Sequence, residues 1–170
     1  EKKSKKGLYH ISDSLLRFHY HYVLPYRSLI ELGNSQAVLN VFAKTENDYV
    51  GQAWEELCRR YVSTYGIDDI MFQMASRWWG SYYNEEKQQY VPVELDVVAE
   101  SFDGKHLFLG ECKWQERIDA KEELARLQTI AKGLPFAEGH EVHYGLFLRK
   151  TPKHPESAKI FYPNNVLALL

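Results

Sequence analysis

The 170-residue chain predicts an α/β domain, a central mixed sheet of four or five strands with helices on both sides, preceded by an N-terminal helical segment. Three observations carry that expectation. Apolar residues recur at helical spacing up to Tyr65. Two apolar, strand-like runs flank the dipeptide Asp103-Gly104. A helical stripe over 117–132 then leads into another apolar run at 141–149.

Residues 12–32 open with Ser12 or Asp13 as a cap, and Pro25 ends or kinks the helix that follows. A second helix is expected over 34–43. A third covers about 48–65, with Val50, Trp54, Leu57, Tyr61 and Tyr65 on one stripe and Gly66 as its stop. Residues 69–79 read as a strand and 81–91 as an exposed polar loop. Strands at 93–101 and 106–114 form the hairpin. The next helix carries Ala120, Leu124, Leu127 and Ala131 on its apolar face and closes at Gly133 and Pro135. A strand at 141–149 and a short extended piece within 158–169 complete the chain. Residues 1–45 are expected to be a linker and helical segment, and 46–170 the functional domain, in one compact body.

Composition excludes several classes. With 45% hydrophobic and 26% charged residues, the chain is neither disordered nor a disulfide-stapled miniprotein. No run approaches the ~18 apolar residues that span a bilayer. The lysine-rich start lacks an apolar segment behind it, which argues against a secretory signal and for a cytoplasmic protein without a membrane partner. The first residue is not Met, which suggests a piece of a longer protein. A net charge of −2 is weak for a freestanding nucleic-acid binder. Contact with DNA would need a local basic patch, a metal or a neighbouring domain. The two cysteines, Cys58 and Cys112, sit far apart amid apolar residues and read as reduced core thiols.

The chemistry concentrates on the hairpin. If Asp103-Gly104 is a two-residue type I′ turn, cross-strand partners sum to 207, so Asp96 faces Glu111 and Glu94 faces Lys113. Alternation then puts all four on one face and Leu95, Val97, Ala99, Phe108, Gly110 and Cys112 on the other. Opposed acids destabilise a sheet, and one lysine does not neutralise three of them. A divalent cation would, and carboxylate oxygens suit Mg²⁺ or Mn²⁺. A lysine beside it can orient or deprotonate a water. The bland alternative is a surface ion pair between Glu94 and Lys113, a common and weak arrangement.

Asp96, followed on the next strand by Glu111-Cys112-Lys113, resembles the Asp…Glu-X-Lys core of the PD-(D/E)XK nuclease superfamily. A narrower resemblance covers more of the chain. The segments Gly7–Phe18, Tyr49–Cys58, Arg77–Gly80, Glu94–Ala99 and Gly110–Trp114 are similar to the C-terminal domain, of unknown function, of a group of archaeal and bacterial P-loop ATPases. One departure is Leu95, where the superfamily often has proline.

The resemblance implies a restriction-endonuclease-like fold, P-loop ATPase and DNA-binding domains elsewhere in the full-length chain, and a glutamate on the first core helix. Glu55 and Glu56 compete for that role. Glu55 flanks the apolar stripe on the side widened by Cys58 and Val62 and follows Trp54, whereas Glu56 points towards solvent, so Glu55 is chosen.

The expected activity is a metal-dependent phosphodiesterase acting on DNA. Asp96 and Glu111 hold the metal, joined by the Cys112 carbonyl. Lys113 positions the water, Glu55 orients Lys113 or binds a second ion, and Glu94 is an accessory acid. The rival expectation is an inactive module that docks on its own ATPase or on another protein.

The remaining motifs are weaker. Arg149, Lys150 and Lys153, with His154 and Lys159, form either a solvated loop or phosphate contacts, and Lys121, Arg126 and Lys132 could extend such a groove. His19 and His21 diverge on a helix, and the seven histidines show no ligand spacing in sequence. Trp78 and Trp79 read as core aromatics with a capacity for base stacking. No Gly-rich phosphate loop is present, so an ATPase site would lie outside this chain.

Overall fold

The structure is a computed structural model that describes residue 11 and residues 13–169. The basic start, Ser12 and part of the Gly7–Phe18 segment lie outside the described residues. The chain divides into two compact units, with the boundary between Glu46 and Asn47.

The first unit contains α1 (Ser14–Phe18), capped by Asp13, whose Oδ1 accepts the Leu16 N–H at 2.8 Å. A π-helical turn over His19–Val23 follows, and α2 (Arg27–Glu31) begins beyond Pro25. The helix that Asp13 opens thus ends before Pro25, as expected where proline removes a donor. Tyr22 is buried within this unit, beside Phe18 and Phe42, and its hydroxyl meets Thr45 Oγ1 at 2.9 Å.

The two helices expected over 34–43 and 48–65 are one, α3 (Ser35–Tyr65). The polar run from Lys44 to Asp48 between the two expected ranges contains neither glycine nor proline, and a propagating helix passes through it. Gly66, at φ +67°, stops α3 as expected.

In the second unit, β1 (Ser76–Asn84), β2 (Gln89–Glu100), β3 (His106–Lys113), β4 (Glu141–Leu148) and β5 (Ile160–Phe161) stand side by side in chain order. β1, β2 and β3 pair antiparallel, whereas β4 and β5 join in parallel. Between β3 and β4 runs the crossover helix α4 (Ala120–Lys132), capped by Asp119 at the Lys121 and Glu122 N–H groups. A short α5 (Pro163–Leu167) follows β5. The mixed five-stranded sheet therefore has a helix layer on each face. Trp54, Cys58 and Val62 of α3 pack with Val97, Phe108 and Phe147, and Leu127, Ile130 and Ala131 of α4 pack with Leu95, Leu109 and Leu146.

Two strand expectations are corrected. Residues 69–75 are not a strand, because Asp68 and Asp69 take positive φ in a tight turn that pairs Ile67 with Ile70. Residues 81–91 are not a loop but the tip of the β1–β2 hairpin, where Tyr83 pairs with Tyr90, their rings 5.4 Å apart. The polar composition there marks an exposed strand pair rather than a coil.

The β2–β3 register is the expected one, with Val97 opposite Gly110 and Glu100 opposite Leu107. Its turn is different. Ser101 pairs with His106, Gly104 N–H donates to the Ser101 carbonyl at 3.1 Å, and only Gly104 (φ +68°), not Asp103, has positive φ. This is a four-residue loop in which Asp103 Oδ1 takes the Ser101 hydroxyl and the Lys105 N–H, rather than a two-residue type I′ turn.

Candidate active site

Trp54 anchors α3 to the sheet by donating its Nε1–H to the Phe147 carbonyl at 3.1 Å, and Glu55 is thereby placed at the mouth of a cleft. On the opposite wall, β2 is irregular. Ser76 pairs with Val98 and Trp78 with Leu95, so Asp96 and Val97 together oppose the single residue Arg77. This bulge breaks the simple alternation. Leu95 joins the cluster on the α4 side, while Val97 stays with the α3 side, contrary to the expectation that both share one face. The β2–β3 ladder ends at Val97–Gly110, and Asp96 is not a ladder partner of Glu111. Instead, its Oδ2 accepts the Cys112 N–H at 2.9 Å, a bond that ties the acid to the Glu-X-Lys strand.

The cleft, of about 450 Å³, is lined by Glu55, Arg77, Glu94, Asp96, Glu111 and Lys113, with Trp114 and Asn47 at its edge. All four expected acids and the expected lysine therefore meet. Glu111 is 5% exposed, and its Oε1 accepts from Lys113 Nζ at 2.6 Å. Its Oε2 lies 2.6 Å from Arg126 of α4 as an ion pair, and Arg126 also reaches Glu123 at 3.1 Å. Glu55 lies 3.5 Å from Arg59, which also donates to the Asp96 carbonyl at 2.8 Å. Glu94 pairs with Arg77.

The premise of three acids facing one lysine is corrected by these contacts. Glu55 pairs with Arg59, Glu94 with Arg77, and Glu111 with both Lys113 and Arg126, whereas Asp96 is held by the Cys112 N–H and forms no ion pair among the described residues. Arg126 was legible only as a groove-facing candidate. Arg59 carries a local signal, its position four residues after Glu55 on a helix. Arg77 was hidden by the bulge.

Burial, then the charge of Asp96, pushes the Glu111 carboxyl above the ordinary range. Burial also raises Asp96; the Cys112 N–H pulls the other way, and Glu55 adds to the rise. Burial alone would lower Lys113, but the adjacent Glu111 outweighs it and holds the ammonium above its usual pKa. Lys113 is therefore a charged donor at neutral pH.

Glu56 is half-buried rather than solvent-facing, and it does not line the cleft. Cys58 and Cys112 are free and buried, and they are neighbours in one cluster rather than far apart. Burial first, and then the adjoining Cys58, holds the Cys112 thiol well above its ordinary value. Trp78 is a core residue against Phe136, whereas Trp79 is 63% exposed.

The basic residues of the 149–153 stretch separate. Arg149 stacks over Trp114 at 5.4 Å and bonds Asn47 at 3.2 Å, so it borders the cleft. Lys150 pairs with Glu116 at 2.5 Å. Lys153 lines another groove, with Asp119 and Glu122. A larger cavity of about 810 Å³, lined by Tyr83, Tyr90, Lys132 and Tyr144, lies away from the buried acids. Among the described residues, no helix is long and apolar enough to cross a membrane.

Comparison with known proteins places this cleft in context. Over 120 residues the chain is 26% identical to an uncharacterised protein of Methanocaldococcus jannaschii, MJECL04, in a match that covers 69% of this chain and 25% of that protein. The chain thus spans about a quarter of its relative's length. No solved structure matches it. Residues 19–126, which run from the π-helical turn through Glu55, Asp96, Glu111 and Lys113 to Arg126, match DUF234, and the chain belongs to this family of archaeal and bacterial proteins of unknown function.

Proposed function

We propose that this chain is the nuclease-like part of a larger ATPase, a metal-dependent phosphodiesterase that acts on DNA by water attack on a backbone phosphate. The observation that carries the reading is the convergence of Asp96, Glu111, Lys113 and Glu55 in one cleft, with buried Glu111 bonded to Lys113 at 2.6 Å. The resemblance to the PD-(D/E)XK superfamily and its restriction-endonuclease-like fold supports it.

The donor set fits a hard cation, since the acids offer only oxygen. Asp96 and Glu111 would hold Mg²⁺ or Mn²⁺, joined by the Cys112 carbonyl, with Glu94 as an accessory acid. Bound there, such an ion supplies Lewis acidity to a phosphate oxygen and a water of lowered pKa.

The protein's own groups do the rest. Lys113, kept charged by Glu111, orients the water and stabilises negative charge growing on the phosphate; as the new P–O bond forms, the P–O bond to the leaving sugar oxygen breaks and the water's proton passes to solvent rather than to Lys113. Glu55, which meets Arg59, raises the field at Asp96 and is the candidate holder of a second ion. Arg126 and Arg77 stand ready for phosphate oxygens once their acids turn to a metal. Trp79 offers a face for a base. Arg149, Lys150 and Lys153 are the candidate outer phosphate contacts, of which Arg149 borders the cleft.

One observation favours a second reading, an inactive regulatory or docking module of the same ATPase. Glu55, Glu94 and Glu111 already have arginine or lysine partners and Asp96 accepts the Cys112 N–H, so each acid of the cleft has a partner without a metal. Plasmid nicking and single-strand cleavage distinguish the two, run with Mn²⁺ and Mg²⁺ on this chain and on the full-length protein. The nuclease reading expects Asp96→Asn to abolish cleavage. It expects Lys113→Ala to lower turnover by orders of magnitude with little change in DNA affinity, because the lysine acts in the transition state. Absence of metal-dependent cleavage that these substitutions remove, in the full-length protein, would leave the docking reading in place.

A further inference from the structure

At the far end of β3 from the carboxylate cleft, the fold assembles a second constellation that sequence spacing concealed. His106 begins β3 and pairs with Glu141 at the start of β4, and Phe108 pairs with His143. Side chains two apart share a face of a strand, so His106, Glu141 and His143 all project on the side of Phe108 and Phe147. His106 Nδ1 lies 3.0 Å from His143 Nε2 and 3.4 Å from Glu141 Oε2, and His143 Nε2 lies 3.9 Å from Glu141 Oε1. Ligands at the usual zinc distances of about 2.0–2.1 Å, set tetrahedrally, stand about 3.3–3.4 Å apart. The imidazole nitrogens are within hydrogen-bond distance of each other, each faces a different oxygen of the Glu141 carboxylate, and one donor atom from each residue lies within 4.8 Å of the others.

We propose that His106, Glu141 and His143 form a site for a divalent transition-metal ion of the zinc class, with the fourth position open to water. Two imidazoles and one carboxylate are a donor set that zinc accepts and magnesium does not favour. Both histidines keep only about a quarter of their side-chain surface, 23% and 22%, so little ordering remains to be done on binding. The ion clasps the starts of β3 and β4, which no hairpin joins, because α4 intervenes between the strands. About five residues of strand, roughly 16 Å, separate His106 from Glu111, so this centre is distinct from the carboxylate cleft.

The test is a zinc titration of the apo chain against a chromophoric chelator, with Co²⁺ absorption as the geometric readout. Wild type is expected to bind one equivalent with a low-coordinate Co²⁺ spectrum, and millimolar Mg²⁺ is expected not to compete. Loss of an outer-shell partner typically weakens a metal roughly 10–100-fold, so removing a direct ligand in His106→Ala or His143→Ala is expected to cost at least that much. Asp96→Asn is expected to leave zinc affinity unchanged. Glu141 is 70% exposed, so Glu141→Gln tests the site without threatening the fold. The proposal is overturned by absence of stoichiometric zinc binding, by undiminished affinity in His143→Ala and Glu141→Gln, or by loss of the zinc site in Asp96→Asn.

Discussion

Asp96 and Glu111 hold their protons more tightly in the fold than in an open chain, because burial disfavours their charged forms. The sign follows from linkage. Between the unfolded and folded pKa values the native state binds more protons, so the stability these groups confer is full below the unfolded value and is lost as pH rises through the folded one. Asp96→Asn keeps an oxygen for the Cys112 N–H and removes one of the two titrations. Unfolding free energy measured from about pH 4 upward is therefore expected to fall less steeply in Asp96→Asn than in wild type. Parallel curves would show that the acid is not held above its ordinary value of 3.8. Glu111→Gln is expected to behave differently, because it strands Lys113 and Arg126 beside a neutral amide. Its cost is expected to exceed that of Asp96→Asn, read as the shift in urea midpoint.

At the scale of elements, the β2–β3 loop and the β2 bulge set where the acids stand. Gly104 sits at φ +68°, where L-residues carry a penalty of about 1–2 kcal/mol. Gly104→Val is expected to lose that much or somewhat more, and Gly104→Asn clearly less, because asparagine tolerates this conformation. Equal costs in urea unfolding would contradict the observed loop. A tighter constraint lies at Gly133, where a Cβ would come within 2.0 Å of the Tyr83 carbonyl oxygen. The end of α4 and the β1–β2 hairpin are packed backbone to backbone there, and the Tyr83 N–H donates to the Gly133 carbonyl at 3.0 Å. The same packing holds α4, and with it Arg126, over Glu111.

For the molecule as a whole, what a metal can add rests on Asp96, the cleft acid that forms no ion pair among the described residues. Mn²⁺ bound only by the folded state stabilises it by mass action, by about 2.7 kcal/mol at a hundred times its dissociation constant. Millimolar Mn²⁺ is therefore expected to raise Tm more in wild type than in Asp96→Asn, and an equal change in both would weigh against a metal at the carboxylate cleft. With a net charge of −2, the isolated chain is expected to bind DNA weakly and mainly at low salt.

The order of elements from α3 to β5 was largely legible, because the Asp103-Gly104 turn signal, the α4 stripe and the Gly66 and Gly133 stops are local chemistry carried by adjacent residues. The register of β2 on β3 was legible for the same reason, and with it the candidates Asp96, Glu111 and Lys113. The tyrosine-rich hairpin over 76–91 and the unbroken α3 were misread where polar composition masked a strand tip and a helix middle. What remained for tertiary structure was everything that depends on distant residues arriving together. The bulge opposite Arg77 turns Leu95 to the other face, α4 lowers Arg126 onto Glu111, and the parallel pairing of β3 with β4 brings His106 to His143. Local propensities act over a turn or a hairpin, whereas ion pairs and ligand sets are fixed by packing between elements. The acids and Lys113 could therefore be named from the sequence, but the contacts of Arg59, Arg77 and Arg126 with those acids could not.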